Sequence, residues 1–206
     1  MKKSGFVFVL IMVFVPLMKS QEKGVTRVSL VIEPVVSWIK SDHKYISTEG
    51  SLPGYNFGFK IDRFFGDNYA FTTGISINTV GGKLGYPAVE QTHRYVQTYR
   101  LKYLEIPAGL RLRSDDLRRI NIYGRFGLSP QINIKATDNK GEGITDKVRL
   151  FEMGYHLGGG IEYSLGGRNG LMFGLIFNNG FTDVTKKNIE DKAILNRLTF
   201  EFGFIF

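Results

Sequence analysis

Apolar and polar side chains alternate along most of this chain with a period of two. The alternation is clearest at the end, where every second residue is apolar: Leu198, Phe200, Phe202, Phe204 and Phe206. The residues between them are polar or small, among them Thr199 and Glu201. Because successive side chains of a β-strand point to opposite faces, this pattern predicts a strand with one apolar face and one polar face.

The same period recurs in seven earlier segments, and no segment shows a convincing helical period. The predicted strands cover residues 28–38, 55–64, 69–79, 104–112, 120–128, 151–163, 171–178 and 198–206. The pattern therefore predicts an all-β protein with eight strands.

The connections between these strands alternate strictly between long and short. The short ones are residues 65–68, 114–119 and 166–169, and the long ones are 40–54, 80–95, 135–150 and 180–195. A compact soluble domain seldom keeps four structureless loops of this length. Short periplasmic turns and long outer loops are typical of outer-membrane barrels. The sequence therefore predicts an eight-stranded antiparallel up-and-down transmembrane β-barrel.

The two predicted strand faces differ in charge. The apolar face carries almost no charge, which suits contact with lipid, because a lysine or arginine there would cost about 2–4 kcal/mol at the bilayer midplane. We expect the other face to form a charge network in the lumen, made of Glu33, Lys60, Asp62, Glu105, Arg111, Arg125, Glu152, Glu162, Arg197 and Glu201. The alternative is a soluble eight-stranded carrier of the lipocalin type, with its apolar face turned inward. Glycines on the polar face, such as Gly158 and Gly160, favour the membrane barrel, because small residues suit a crowded lumen.

The first twenty residues predict export. Lys2 and Lys3 precede an apolar run at residues 6–18, which is too short to span a bilayer as a helix and has the length of a signal-peptide core. We therefore assign residues 1–20 to a cleaved signal peptide of the Sec pathway, and residues 21–206 to an outer-membrane β-barrel domain. The predicted location is the bacterial outer membrane.

Composition removes several classes of function. The chain has no cysteine, so it has no disulfide, no Cys-ligated metal and no thiol nucleophile. Its formal net charge is +8, but lysine and arginine are scattered over turns, loops and lumen, and we expect no nucleic-acid partner. Basic residues at the rims favour anionic head groups, so outer-membrane lipids are expected partners.

Residues 103–107, Tyr-Leu-Glu-Ile-Pro, are similar to a strand common in the PorT-like family of small outer-membrane barrels, which are eight-stranded barrels of the OmpX and OmpA type. The resemblance implies a structural role or a role in protein secretion, with secretion-machinery proteins as partners. Pro107 removes a ladder N–H and so belongs at a sheet edge or a bulge, and a bulge there would bend the fourth strand.

The aromatic residues that end the last strand, Phe202, Phe204 and Phe206, resemble the assembly signal of outer-membrane barrels. This resemblance implies that the barrel assembly machinery is a partner.

Candidate chemistry is sparse. Ser41, Asp42 and His43 in the first long loop resemble the outer-rim catalytic groups of eight-stranded acyltransferases, but three consecutive residues do not easily form a triad. We expect His156 to be a hydrogen-bonded filler of the lumen. We predict no catalytic residue, no cofactor and no metal site.

The predicted function follows from the size of the barrel. Eight strands close on an interior that side chains fill, so a diffusion pore is not expected. We predict a non-enzymatic outer-membrane barrel with a filled lumen. The alternatives are a narrow channel for small solutes and a lipid-modifying enzyme.

Overall fold

The described part of the chain is built almost entirely from β-strands. This computed structural model describes residues 24–42, 44–86, 95–115, 117–186 and 192–206. The strands are β1 Thr26–Ser41, β2 Ser47–Phe64, β3 Tyr69–Tyr86, β4 Tyr95–Glu105, β5 Ala108–Arg113, β6 Ile120–Thr137, β7 Phe151–Gly166, β8 Asn169–Gly180 and β9 Ala193–Ile205. A 3₁₀ turn, Thr145–Lys147, lies between β6 and β7. The signal peptide predicted at residues 1–20 lies outside the described residues and stays a prediction.

The strands close into a ring. Each strand pairs antiparallel with its neighbours, and β1 also pairs with β9, which joins the two ends of the sheet. β4 and β5 both lie between β3 and β6, so together they occupy one strand position. The ring therefore has eight strand positions and no open edge. This confirms the prediction of an eight-stranded antiparallel up-and-down barrel.

The structure has no bulge at Pro107. Ser76 pairs with Glu105 and Thr73 pairs with Ala108, so the two strands advance equally past the break between β4 and β5. The ladder is interrupted without an inserted residue, because proline has no N–H to donate. The hydroxyl of Thr73 donates a hydrogen bond to the Pro107 carbonyl at 2.9 Å, which holds the break against β3.

A register shift does occur a few residues away, between β4 and β6. Lys102 pairs with Lys135, whereas Tyr103 pairs with Asn133, so Ile134 is an extra residue on β6. As expected for a bulge, two successive side chains point the same way, and Ile134 and Lys135 are both exposed.

Two hairpins are longer than the sequence predicts. Much of residues 40–54 and 80–95, which we predicted as long loops, belongs to strands, because β1 and β3 continue to Ser41 and Tyr86. The polar, Gly- and Pro-containing start of β2 is accommodated by two register shifts against β3, and Pro53 lies within one of them. Residues typical of loops are paired there because bulges absorb the mismatch.

The barrel has two distinct ends. We call the end with the short turns at residues 65–68, 114–119 and 167–168 the inner end. The outer end carries the connections at residues 42–46, 87–94, 138–150 and 181–192. Thr26 of β1 and Ile205 of β9 both lie at the inner end.

An apolar band surrounds the outside of the barrel. It consists of the outward-facing side chains of residues 28–38, 55–61, 69–77, 104–112, 120–134, 151–165, 171–177 and 198–206. Within the described chain, none of these outward-facing side chains is charged.

The height of the apolar band matches that of a bilayer. On β1 the band runs from Val28 to Trp38, a distance of about 33 Å along the strand, which is about 25 Å of height at a tilt of about 40°. Outer-membrane barrels carry an apolar band of about 25 Å. The strands continue past the band at the outer end, so the barrel has an outer extension beyond the bilayer.

We expect a charge in the apolar band to destabilise the barrel. Ile32 faces outward at mid-height and is 61% exposed. The Ile32→Arg variant should lose about 2–4 kcal/mol of unfolding free energy in lipid vesicles, measured by urea titration. Ser51→Arg, at the outer edge of the band opposite Trp38, is the matched control and should lose about 0–1 kcal/mol. Equal losses would mean that the band does not lie in the bilayer.

Candidate functional site

The charged residues that the sequence assigns to the lumen all lie inside the barrel wall and are buried. They group into three layers, named from the inner end. The inner layer is Asp62, Arg111 and Glu162; the middle layer is Glu33, Lys60, Arg125 and Glu201; the outer layer is Glu105, Glu152 and Arg197. Each layer joins strands from different sides of the ring.

The inner layer is centred on Arg111 of β5. Its guanidinium contacts Asp62 of β2 at 2.5 Å and also pairs with Glu162 of β7. Its Cζ lies 4.1 Å from the centre of the Tyr123 ring, within range of a cation–π interaction. Because β2 and β7 are on opposite sides of the ring, this single arginine bridges the width of the lumen.

The middle layer is held by two cations around one carboxylate. The register of β1 and β9 places Glu33 opposite Glu201, and two facing carboxylates repel each other. The Lys60 ammonium contacts both of them and offsets this repulsion. From the far side, Arg125 of β6 contacts Glu201 at 2.8 Å. The Tyr123 hydroxyl donates a further hydrogen bond to Glu201.

The outer layer combines ion pairs with amides. Arg197 of β9 pairs with Glu105 of β4, which lies across the ring. Arg197 also donates to the Gln131 side-chain oxygen at 3.2 Å, and the Gln131 amide donates to Glu152 at 2.6 Å. Asn78 donates to Glu105 as well. These contacts satisfy buried carboxylates that would otherwise lack partners.

A small polar cavity lies between the middle and outer layers. Its volume is about 30 Å³, which is room for about two water molecules. His156 lines it and contacts the Ser129 hydroxyl through Nδ1 at 2.9 Å. Glycine makes space for this ring, because a Cβ at Gly109 or Gly127 would lie 3.1 or 2.9 Å from it. The Ser–His distance resembles that of a nucleophile and its base, but both side chains are buried in the closed lumen.

The outer half of the lumen is apolar, which the sequence did not predict. Its core contains wall residues such as Val35, Ile39 and Leu84, together with side chains from two outer connections: Ile144, Val148 and Val184. Val35 and Ile39 have the same parity as Glu33, so extending the parity of the charged residues along β1 would have identified them. We call this cluster the apolar plug.

Two outer connections fold over the plug and pair with each other. Val148 and Thr185 form a β-bridge, and the Arg149 amide donates to the Val184 carbonyl at 2.8 Å. The Asp183 carboxylate accepts hydrogen bonds from the Thr185 and Ala193 amides, both at 3.0 Å. The prediction that residues 135–150 and 180–195 are structureless is therefore wrong for the described parts of these connections.

A tyrosine pair lies beside the plug, in the outer extension. The hydroxyls of Tyr86 and Tyr99 are 2.8 Å apart. Burial raises the pKa of both phenols above the ordinary value, so both stay protonated and hydrogen-bonded at neutral pH. The pair links β3 and β4 where they leave the apolar band.

A basic strip lies on the outside of the barrel, immediately beyond the apolar band. It consists of Lys83 of β3, Arg100 and Lys102 of β4 and Lys135 of β6, which all point away from the lumen. Lys102 pairs directly with Lys135 across the two strands. Like charges at facing positions are destabilising unless an anion lies between them.

The other candidate residues that the sequence indicated do not come together in one site. Phe202 and Phe206 are exposed on the apolar band, and the ring of Phe204 contacts the Phe206 ring with a centroid distance of 5.0 Å. Their role as an assembly signal stays a prediction. His43 lies outside the described residues, so the acyltransferase-like group of the first outer connection cannot be assembled from Ser41 and Asp42 alone.

Two features are absent from the ranges that the structure describes. No helix in these ranges is long and apolar enough to cross a membrane. In the same ranges, histidine, aspartate and glutamate form no cluster of three or more that could hold a metal ion.

Solved structures share this fold. Neisserial surface protein A (NspA) is 15% identical, with a TM-score of 0.58 over 89% of this chain and 98% of the other. OprG, an outer-membrane protein of Pseudomonas aeruginosa, is 13% identical, with a TM-score of 0.52 over 91% and 98% of the two chains. At these identities the similarity shows the fold alone. No curated protein matches the sequence.

A family model described as the outer membrane protein beta-barrel domain matches residues 25–186. The match covers most of the chain, and it agrees with the closed ring, the uncharged apolar band and the paired lumen charges. The inner end is accordingly the periplasmic end, because barrels of this kind have short periplasmic turns. The chain belongs to the outer membrane protein beta-barrel domain family.

Proposed function

We propose that the protein is a non-enzymatic outer-membrane barrel that does not conduct solutes and acts through its two ends. The observation that carries this proposal is the closure of the lumen. Three layers of ion pairs cross the inner part, and the apolar plug fills the outer part. A solute would have to break pairs such as Arg197–Glu105, and breaking a buried pair costs about 3–5 kcal/mol.

The lack of access also supports the non-enzymatic part of the proposal. The Ser129–His156 pair has a suitable distance, but it borders a cavity of only about 30 Å³. A lipid or glycan substrate does not fit such a space. The narrow-channel alternative rests on this same cavity. The middle layer borders its inner side, and the outer layer borders its outer side.

Conductance measurements test the closed lumen. We expect the purified protein in planar lipid bilayers to give no current steps above those of the bare bilayer, because no path avoids the ion-pair layers. Insertion is checked by the different mobilities of boiled and unboiled protein on an SDS gel. Stable steps that grow with salt concentration would favour the channel instead.

The outer membrane itself is the first proposed partner. The basic strip lies just beyond the apolar band, at the height where head-group phosphates of the outer leaflet would reach the barrel. A phosphate between Lys102 and Lys135 would remove their mutual repulsion. The strip thus supports binding of anionic head groups at one side of the barrel.

Stability in vesicles of different charge tests the strip. We expect anionic vesicles containing a phosphorylated lipid to raise the urea midpoint of the wild type above that in zwitterionic vesicles. The double variant Lys102→Gln/Lys135→Gln should lose most of this gain. Lys40→Gln, on the distant β1 at the same outer end, is the matched control and should keep it. If anionic vesicles raised the urea midpoint of the double variant as much as that of the wild type, the basic strip would be excluded as the site that binds anionic head groups.

A secretion role is proposed on the PorT-like resemblance of residues 103–107. That segment places Tyr103 and Glu105 in the lumen wall, and Pro107 at the break between β4 and β5. Secretion-machinery proteins would contact the outer extension or the periplasmic turns, since the lumen is closed. The barrel assembly machinery is proposed as the partner that reads Phe202, Phe204 and Phe206.

Gene deletion separates this role from a purely structural one. We expect a deletion strain to accumulate secreted cargo in the periplasm. Its outer membrane should remain impermeable to detergent and dye. The measurement is mass spectrometry of culture medium and periplasm, with the wild-type gene restored as the control. An unchanged amount of secreted cargo in the medium would contradict the secretory role and favour the structural one.

A further inference from the structure

A pocket opens at the inner end, next to the inner layer, with which it shares Glu162. Its volume is about 120 Å³, several times the space that a buried water needs. The charged residues that line it are four arginines and one carboxylate: Arg27, Arg113, Arg118, Arg168 and Glu162. We call it the inner-mouth pocket.

The single carboxylate of the pocket is shared among several cations. Glu162 lies 3.3 Å from Arg27 and 3.3 Å from Arg113, and it also pairs with Arg111 of the inner layer. Asp62, which faces the lumen near Glu162, pairs with Arg111. Arg118 and Arg168 add two exposed guanidinium groups to the lining of the pocket.

Arg118 and Arg168 come from two neighbouring turns. Arg118 has a φ of 64°, in the left-handed region that non-glycine residues seldom adopt. Two hydrogen bonds between Leu117 and Ile120 hold this tight turn. Arg168 follows Gly167, whose φ is 61°. The left-handed conformation is freely available to glycine and is usual in two-residue hairpin turns, so both turns are compact and place their arginines at the mouth of the barrel.

The arginines approach the pocket from three parts of the fold. Arg27 comes from β1, Arg113 and Arg118 from the end of β5 and the turn after it, and Arg168 from the turn between β7 and β8. Guanidinium groups donate several hydrogen bonds in a fixed fork that matches oxyanions. Donors that converge from three directions suit a tetrahedral, multiply charged anion better than a planar carboxylate.

We propose that the inner-mouth pocket binds a phosphate group on the periplasmic side of the barrel. The group belongs either to a small soluble phosphate compound or to the head group of an inner-leaflet phospholipid, and the recognising chemistry is the same for both. Phosphate oxygens would accept hydrogen bonds from the guanidinium groups that line the pocket.

Calorimetric titration of the purified full chain in uncharged detergent tests the pocket. The probes are inorganic phosphate and glycerophosphate for the soluble source, and a short-chain phosphatidylglycerol for the lipid source. Binding should weaken as salt is added, because the pocket residues Arg118 and Arg168 are exposed. The variants Arg118→Gln and Arg168→Gln should each bind at least about tenfold more weakly than the wild type.

Arg119→Gln is the matched control, since Arg119 is exposed on the same turn as Arg118 but does not line the pocket. It should bind like the wild type, and heat-dependent mobility on an SDS gel confirms that all three variants fold. Binding of inorganic phosphate that depends on Arg118 and Arg168 assigns the site to a soluble ligand, and binding of the phospholipid alone assigns it to a head group. Absence of binding by every probe, or equal weakening by Arg119→Gln, overturns the proposal.

Discussion

The pairing of buried charge across the lumen is the constraint on which the rest of this structure depends. Ten charged side chains are buried inside the ring, and each unpaired ion there would cost several kcal/mol. Each buried charge needs a partner of opposite charge. A single strand has few neighbouring inward positions, so residues of the same strand cannot supply all of these partners. Arg111, Arg125 and Arg197 instead reach strands on other sides of the ring. The ion pairs therefore fix which strands face each other, and they close the lumen by doing so.

The same constraint separates the two faces of every strand. Because the charged side chains face the lumen, the outward side chains of the apolar band contact lipid along about 25 Å of height without the free-energy cost of a charge in the bilayer. The strand register keeps the charged side chains inside and the apolar ones outside, because a slip of one residue would exchange the two faces. The break at Pro107 keeps the register on both sides, with Thr73 pairing with Ala108 and Ser76 with Glu105. A proline in a barrel strand is thus tolerated without turning the following charges toward lipid.

Under the proposed function, closure of the lumen leaves the two ends of the barrel as the places where a partner would bind. At the outer end the apolar plug and the bridged connections form a solid cap, and the basic strip flanks the apolar band. At the inner end the turns surround an arginine-lined pocket. The two ends differ in chemistry, since apolar contacts dominate the lumen at one and guanidinium groups at the other. Under the proposed function, the two ends would therefore contact partners of different chemistry.

The sequence by itself determined the strands, their faces and the closed eight-stranded ring, because period-two alternation and alternating connection lengths are local properties of the chain. It also identified ten of the inward charges by parity, but not their partners, since Arg197 and Glu105 are brought together only when β9 and β4 take opposite places in the ring. The plug was missed because Ile144, Val148 and Val184 lie in connections without periodicity, and only folding of those connections over the barrel buries them. The inner-mouth pocket likewise gathers arginines from distant parts of the chain, and sequence spacing carries no signal for such a convergence.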